Sequence, residues 1–184
     1  GNYVGTDATG LQAKPNGQNG VAVITGSNNL IGGTTAQARN VVSGNRDQFF
    51  FAVGVGTFIS SGTTNNTFAG NFIGVDRTGY NALPNLHGVL LNSGNNVVGG
   101  TDPGSGNVVA GNAGDMISIF EVSVPADGNQ VLRNFVGTTA AGTGSFNEGF
   151  GYGIASSDAD GTIVGSAGNG NLVSGNDYGV YIHF

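Results

Sequence analysis

The side chains able to carry acid–base or metal chemistry in this 184-residue sequence are few: eleven Asp and Glu, five Lys and Arg, two His and no Cys. Without Cys there is no disulfide framework, thiolate metal site or catalytic thiol. Cleaving an acidic polysaccharide by elimination needs carboxylates to hold Ca²⁺ and an Arg or Lys to take the α-proton. Lys14, Arg39, Arg46, Arg77 and Arg133 each stand apart from any acids spaced two apart on a strand. The Asp-x-Asp pair Asp158-Ala-Asp160 lies between Ser157 and Gly161 and reads as a solvated turn. Glycoside hydrolysis needs two carboxyl groups about 5 to 9.5 Å apart. Asp47, Asp115 and Asp177 follow Asn45, Asn112 and Asn176 closely and read as turn acids. Asp7 and Asp76 recur in Gly-Thr-Asp-Ala-Thr-Gly and Gly-Val-Asp-Arg-Thr-Gly, where one carboxylate per loop suits an Asx-turn better than a calcium site. His87 and His183 are solitary. No residue is assigned a catalytic, cofactor-binding or metal-ligating role, and an enzyme is disfavoured.

The elements that would position any such residue are announced by repetition. Five copies of Asn-x-apolar-x-Gly-Asn occur at Asn40–Asn45, Asn66–Asn71, Asn107–Asn112, Asn129–Asn134 and Asn171–Asn176, with Arg133 replacing Gly in the fourth. Their starts step by 26, 41, 22 and 42 residues, so the larger unit is a pair of unequal turns. Asn29-Leu-Ile-Gly-Gly and Asn96-Val-Val-Gly-Gly repeat with the same period, with Thr162-Ile-Val-Gly as an eroded third copy. Val21-Ala-Val-Ile, Gly88-Val-Leu-Leu and Gly153-Ile-Ala lead into these segments.

Charged residues make up 9% of the chain, whereas Gly numbers 36 and Asn 23, so the surface is built mainly from amides and hydroxyls. Gly and Asn tolerate positive φ, and their abundance at a fixed period implies many tight turns. Apolar runs are short, β-branched and bounded by Gly or Asn: Val21–Ile24, Leu30–Ile31, Val41–Val42, Phe49–Val55, Phe72–Val75, Val89–Leu91, Val97–Val98, Val108–Ala110 and Met116–Val124. These are strand signals, and no window keeps helical spacing for three turns. Three strands per turn predict a triangular coil with parallel strands stacked about 4.8 Å apart. Short turns of about 28 residues alternate with long ones of about 38, whose polar loops Asp76–His87 and Thr138–Gly151 project from one corner. The Asn at each end of the pattern, Asn40, Asn45, Asn66, Asn71, Asn107, Asn112, Asn129, Asn134, Asn171 and Asn176, should stack into hydrogen-bonded ladders.

The combination of Asn-x-Ile/Val-Gly-Gly, Asn-Val-Val-Ser-Gly-Asn and Gly-Asn-x-Ile/Val-Gly-Thr-Asp-x-Thr-Gly resembles the right-handed parallel β-helix repeats of large secreted and surface proteins of bacteria. The resemblance covers essentially the whole chain. It implies an all-β solenoid of about five to six coils, a single domain over 1–184 with pseudo-repeats at roughly 1–20 (partial), 21–87, 88–151 and 152–184 (partial). Such scaffolds carry lyases, hydrolases, adhesins and passive stalks alike, so fold does not fix function. The chain opens and closes in mid-pattern, which reads as a piece of a longer array whose uncapped ends pair with further copies.

Counting four residues from each closing Asn places Phe49, Met116 and Val180 inward, and then Phe50, Ile117 and Tyr181 outward, with Leu90 beside them as a possible contact surface. A net charge of −6 without a basic stripe excludes a nucleic-acid partner, and no apolar stretch of about 20 residues would insert in a membrane. The expected function is an extracellular or cell-surface structural or adhesive module, needing no cofactor, that associates with itself end to end or laterally. The alternatives are a polysaccharide lyase or glycoside hydrolase, or a surface that binds polysaccharide without cutting it.

Overall fold

The computed structural model describes residues 1–45, 55–59, 62–146 and 151–183, and all strand pairs among them are parallel. The first sheet stacks β1 (Tyr3–Val4), β4 (Val41–Val42), β7 (Phe72–Ile73), β10 (Val108–Val109), β13 (Phe135–Val136) and β16 (Leu172–Val173). The second stacks β2 (Val21–Val23), β5 (Val55–Ile59), β8 (His87–Leu91), β11 (Ile117–Phe120), β14 (Tyr152–Ser157) and β17 (Tyr178–His183). The third stacks β3 (Leu30–Gly32), β6 (Thr67–Ala69), β9 (Val97–Gly99), β12 (Gln130–Leu132) and β15 (Ile163–Val164). Consecutive strands change sheet and the chain returns to each sheet every third strand. The fold is a right-handed parallel β-helix of between five and six coils.

Aligned residues of the first sheet, Tyr3, Val41, Phe72, Val108, Phe135 and Leu172, stand 38, 31, 36, 27 and 37 residues apart, so long and short coils do alternate. The five motif copies nevertheless serve two corners. Those starting at Asn40, Asn107 and Asn171 enter the first sheet, and those starting at Asn66 and Asn129 enter the third. Steps of 26 and 22 residues are therefore part of a coil, not a whole one. What the copies share is a short strand followed by a left-handed residue: Gly44, Gly70, Gly111 and Gly175 at φ 78, 66, 68 and 79°, and Arg133 at 61°. Arg133 holds a conformation natural to glycine, and its Nε donates to Asn169 Oδ1 at 2.7 Å.

Inside, alternation sends Val42, Ile73, Val109 and Val136 from the first sheet, Val89, Ile117 and Ile154 from the second, and Phe68, Val98 and Val131 from the third into one core where each is fully buried. Fully burying one such side chain stabilises the fold by about 1.5–3 kcal/mol. Amide ladders line its corners. Asn2, Asn40, Asn71, Asn107, Asn134 and Asn171 form one, each donating its backbone N–H and Nδ2 to Oδ1 of the next. Asn16, Asn45, Asn85 and Asn112 form a second, and Asn176 donates to Val136 O. Asn29, Asn66, Asn96 and Asn129 form a third, with Thr162 one coil on. Spare Nδ2 protons reach backbone carbonyls of the preceding coil, as from Asn107 to Phe68 O at 2.8 Å. Corners that would strand buried backbone groups are thereby satisfied.

The outer face of the first sheet is also buried over its middle coils, at Val41, Phe72 and Val108. After β1, β7 and β13 the chain makes a small hairpin, closed by antiparallel bridges Thr6 to Ala13, Val75 to Ala82 and Thr138 to Ser145. These hairpins stack through Arg77 N–H to Gly10 O and Ala140 N–H to Gly79 O. They do not project freely. The tip of the second folds back onto the sheet so closely that a Cβ at Gly79 would lie 3.0 Å from the Phe72 ring. A second apolar cluster results, holding Val41, Phe72, Val75, Val108 and Ala110, with Phe135 and Phe146 packed on it. The Arg39 guanidinium lies 4.1 Å over the Phe72 ring, and burial pulls its pKa below the ordinary value.

Candidate functional site

The outer face of the second sheet is where chemistry-bearing residues gather. Gly88 and Gly153 turn inward against the core, where a Cβ would meet the side chains of Val109 and Val173 at 2.5 and 2.7 Å. The residue before each then faces outward. His87, Asp115, Tyr152 and Tyr178 stand at successive heights along one wall; Leu90, Ser118, Ala155 and Tyr181 form the neighbouring floor column, and Phe120, Ser157 and His183 the far wall. A groove of about 470 Å³ runs between the walls, lined by His87, Asp115 and Tyr152 on one side, the floor column, and Phe120 and Ser157 on the other. Leu90, Ser118 and Ala155 are nearly buried because larger neighbours flank them.

At one end of the groove Asp115 organises the polar groups. Its Oδ1 accepts the Tyr152 backbone N–H at 3.0 Å and its Oδ2 accepts Ser118 Oγ–H at 2.7 Å. Its backbone N–H donates to His87 Nδ1 at 3.1 Å, which places the proton of a neutral imidazole on Nε2. His87 Nδ1 lies 3.9 Å from Asp115 Oδ2. At the other end the rings form a platform. Tyr152 stacks on Tyr181 at 4.7 Å, Tyr178 tilts against Tyr152 at 5.1 Å, and Tyr181 stacks on His183 at 6.2 Å. Aromatic faces beside a few fixed donors and acceptors suit a ligand with one apolar and one hydroxylated side.

Ser118, Asp115 and His87 do not form a nucleophilic relay. The serine hydroxyl donates to the carboxylate, and the imidazole nitrogen facing Asp115 is already an acceptor. Asp115 is the one carboxylate among the described residues lining the groove, and no group of three or more metal-ligating side chains occurs among the described residues. A larger groove of about 570 Å³ crosses the outer face of the third sheet over Leu30, Thr67, Val97 and Gln130, but its lining holds no aromatic ring.

Of the residues read from sequence as a contact surface, Leu90 and Tyr181 share the floor column, and Phe50 lies outside the described residues. Ile117 requires correction: it is fully buried, aligned with Val89 and Ile154, and the outward position on its strand belongs to Ser118. The slip arises because Ile117 follows Asn112 by five residues, whereas Val180 follows Asn176 by four and Val89 follows Asn85 by four. Both Met116 and Ile117 therefore point into the core. His87, Asp115, Tyr152 and Tyr178 were missed as a group. Counting back from the glycine second in each strand, Gly88, Gly153 and Gly179, would have aligned three of them. Asp47 and Arg46 lie outside the described residues, and Asp177 is exposed beside Tyr178. Asp7 and Asp76 each cap their own hairpin: Asp76 accepts from Thr78 Oγ and Asn81 Nδ2 at 2.6 and 2.7 Å, and Asp7 from Thr9 Oγ at 2.8 Å.

No protein-family model, curated protein or solved structure matches the chain.

Proposed function

We propose that this chain is an extracellular structural and adhesive β-solenoid module, of the kind carried by bacterial secreted and surface proteins, that holds a glycan on the outer face of its second sheet without cleaving it. One observation carries the reading: a stacked Tyr152, Tyr178, Tyr181 and His183 platform continues into a groove with fixed polar groups at Asp115, Ser118 and His87. Sugar rings present apolar C–H faces to aromatic planes and hydroxyls to the polar wall. Two cooperating carboxyl groups, which a glycosidase requires, are not supported by a groove whose described lining offers Asp115 alone. Titrating the chain with soluble oligosaccharides, followed by tyrosine fluorescence, should show saturable binding that Tyr181→Ala abolishes. Release of reducing ends or unsaturated products, lost on Asp115→Asn, would replace this reading with the enzymatic one.

A further inference from the structure

The charge of the groove narrows the sugar it takes, an inference that rests on the glycan-binding reading above. Asp115 is the one charged side chain among the described residues of the lining, leaving aside the ionisable His87. Its two oxygens accept one protein hydrogen bond each, from Tyr152 N–H and Ser118 Oγ–H. A carboxylate has about four acceptor positions, so two stay open toward the groove. The described cations are committed elsewhere or lie on other elements. Arg39 covers Phe72 on the first sheet, Arg133 bonds Asn169 at the corner after the third, and Lys14 and Arg77 sit in the hairpins. The whole chain carries −6.

An acidic sugar entering this groove would face a carboxylate with no described Lys or Arg beside it, and like charges brought together out of water are costly. A neutral sugar would leave the open acceptor positions of Asp115 to hydroxyls. A protonated amine offers the carboxylate a charge-assisted hydrogen bond and can rest against the tyrosine faces, where a cation is attracted to the ring. We propose that the groove selects glycans bearing free, protonated amines over their N-acetylated and acidic counterparts.

The test uses the full chain at neutral pH with three probes: oligomers of glucosamine, the same oligomers N-acetylated, and oligomers of galacturonate. The glucosamine oligomer should bind at least about tenfold more tightly than the N-acetylated one, a gap of about 1.4 kcal/mol. That preference should shrink as salt is added, and disappear in Asp115→Asn, which keeps an acceptor for Tyr152 N–H. If that variant melts early, the salt dependence of the unmodified chain decides by itself. Equal affinity for acetylated and free-amine oligomers, or tightest binding of galacturonate, overturns the charge selection while leaving glycan binding intact. Binding of none of the three, with the chain folded, overturns both.

Discussion

The outer faces of the first and second sheets start from the same material, short parallel strands of alternating residues, and end as opposites. On the first, Val41, Phe72 and Val108 point away from the solenoid and are still almost fully buried, because the hairpins of alternate coils fold back over them. On the second, the wall residues stay accessible, and a groove with Tyr, His and Asp side chains replaces a packed cluster. Position on the coil does not decide which face becomes core. The connector that follows the strand does, since Gly79 lets a tip descend onto Phe72.

The comparison breaks most severely if the interior is charged. Val109→Asp buries a carboxylate among fully buried neighbours and should unfold the chain or cost at least about 4 kcal/mol, read from urea unfolding. Phe72→Ala should cost about 3–5 kcal/mol although Phe72 lies outside the solenoid, because the hairpin makes its site a core. Tyr181→Ala, facing outward on the second sheet, should cost less than about 1 kcal/mol and instead remove sugar binding. Equal destabilisation by these two would erase the distinction between the faces. Asn107→Ala comes next. It removes the acceptor for Asn71 N–H and Nδ2 and the donor to Phe68 O, so about 1–3 kcal/mol per stranded group is at stake, reduced by any water that enters.

The fold was legible because its corners are written in residues with few other uses. Asn at both ends of a two-residue strand has to satisfy buried backbone, and a glycine or Arg133 at positive φ has to turn the chain. The ladder extends beyond the motif to Asn2, Asn16, Asn29, Asn85 and Asn96, which lie in segments that share the corner and lack the full pattern. The groove was less legible. Tyr152, Tyr178 and His87 lie far apart in sequence, and the count from the ladder Asn to the strand varies between four and five, enough to move Ile117 from surface to core. Val41 and Val108 show the same limit on the first sheet. Their place in short apolar runs was readable, but a cover of hairpins, which buries them from outside the solenoid, was not.

The smallest expected effect separates the two faces by pH. Burial by itself would raise the Asp76 pKa, yet the hydrogen bonds from Thr78 and Asn81 outweigh it and hold the carboxyl below its ordinary value. A group depressed in the folded state contributes stability that is complete above its unfolded pKa and is lost as pH falls through the folded one. Wild-type stability should therefore decline as the medium is acidified through and below the usual carboxylate range. Asp7 shifts in the same direction, led by Thr9, but is partly exposed and screened by water. The third hairpin has Thr139 at this position, whose hydroxyl accepts from Gly144 N–H and does not titrate. Asp76→Asn should lower stability slightly at neutral pH and flatten the acid limb, shown by urea unfolding across a pH series. Because Asp76 serves the hairpins on the first sheet, the same variant should bind sugar at neutral pH as the wild type does. An unchanged acid limb would show that Asp76 ionisation does not hold the hairpin down, and a loss of sugar binding would show that the two faces are coupled through the core.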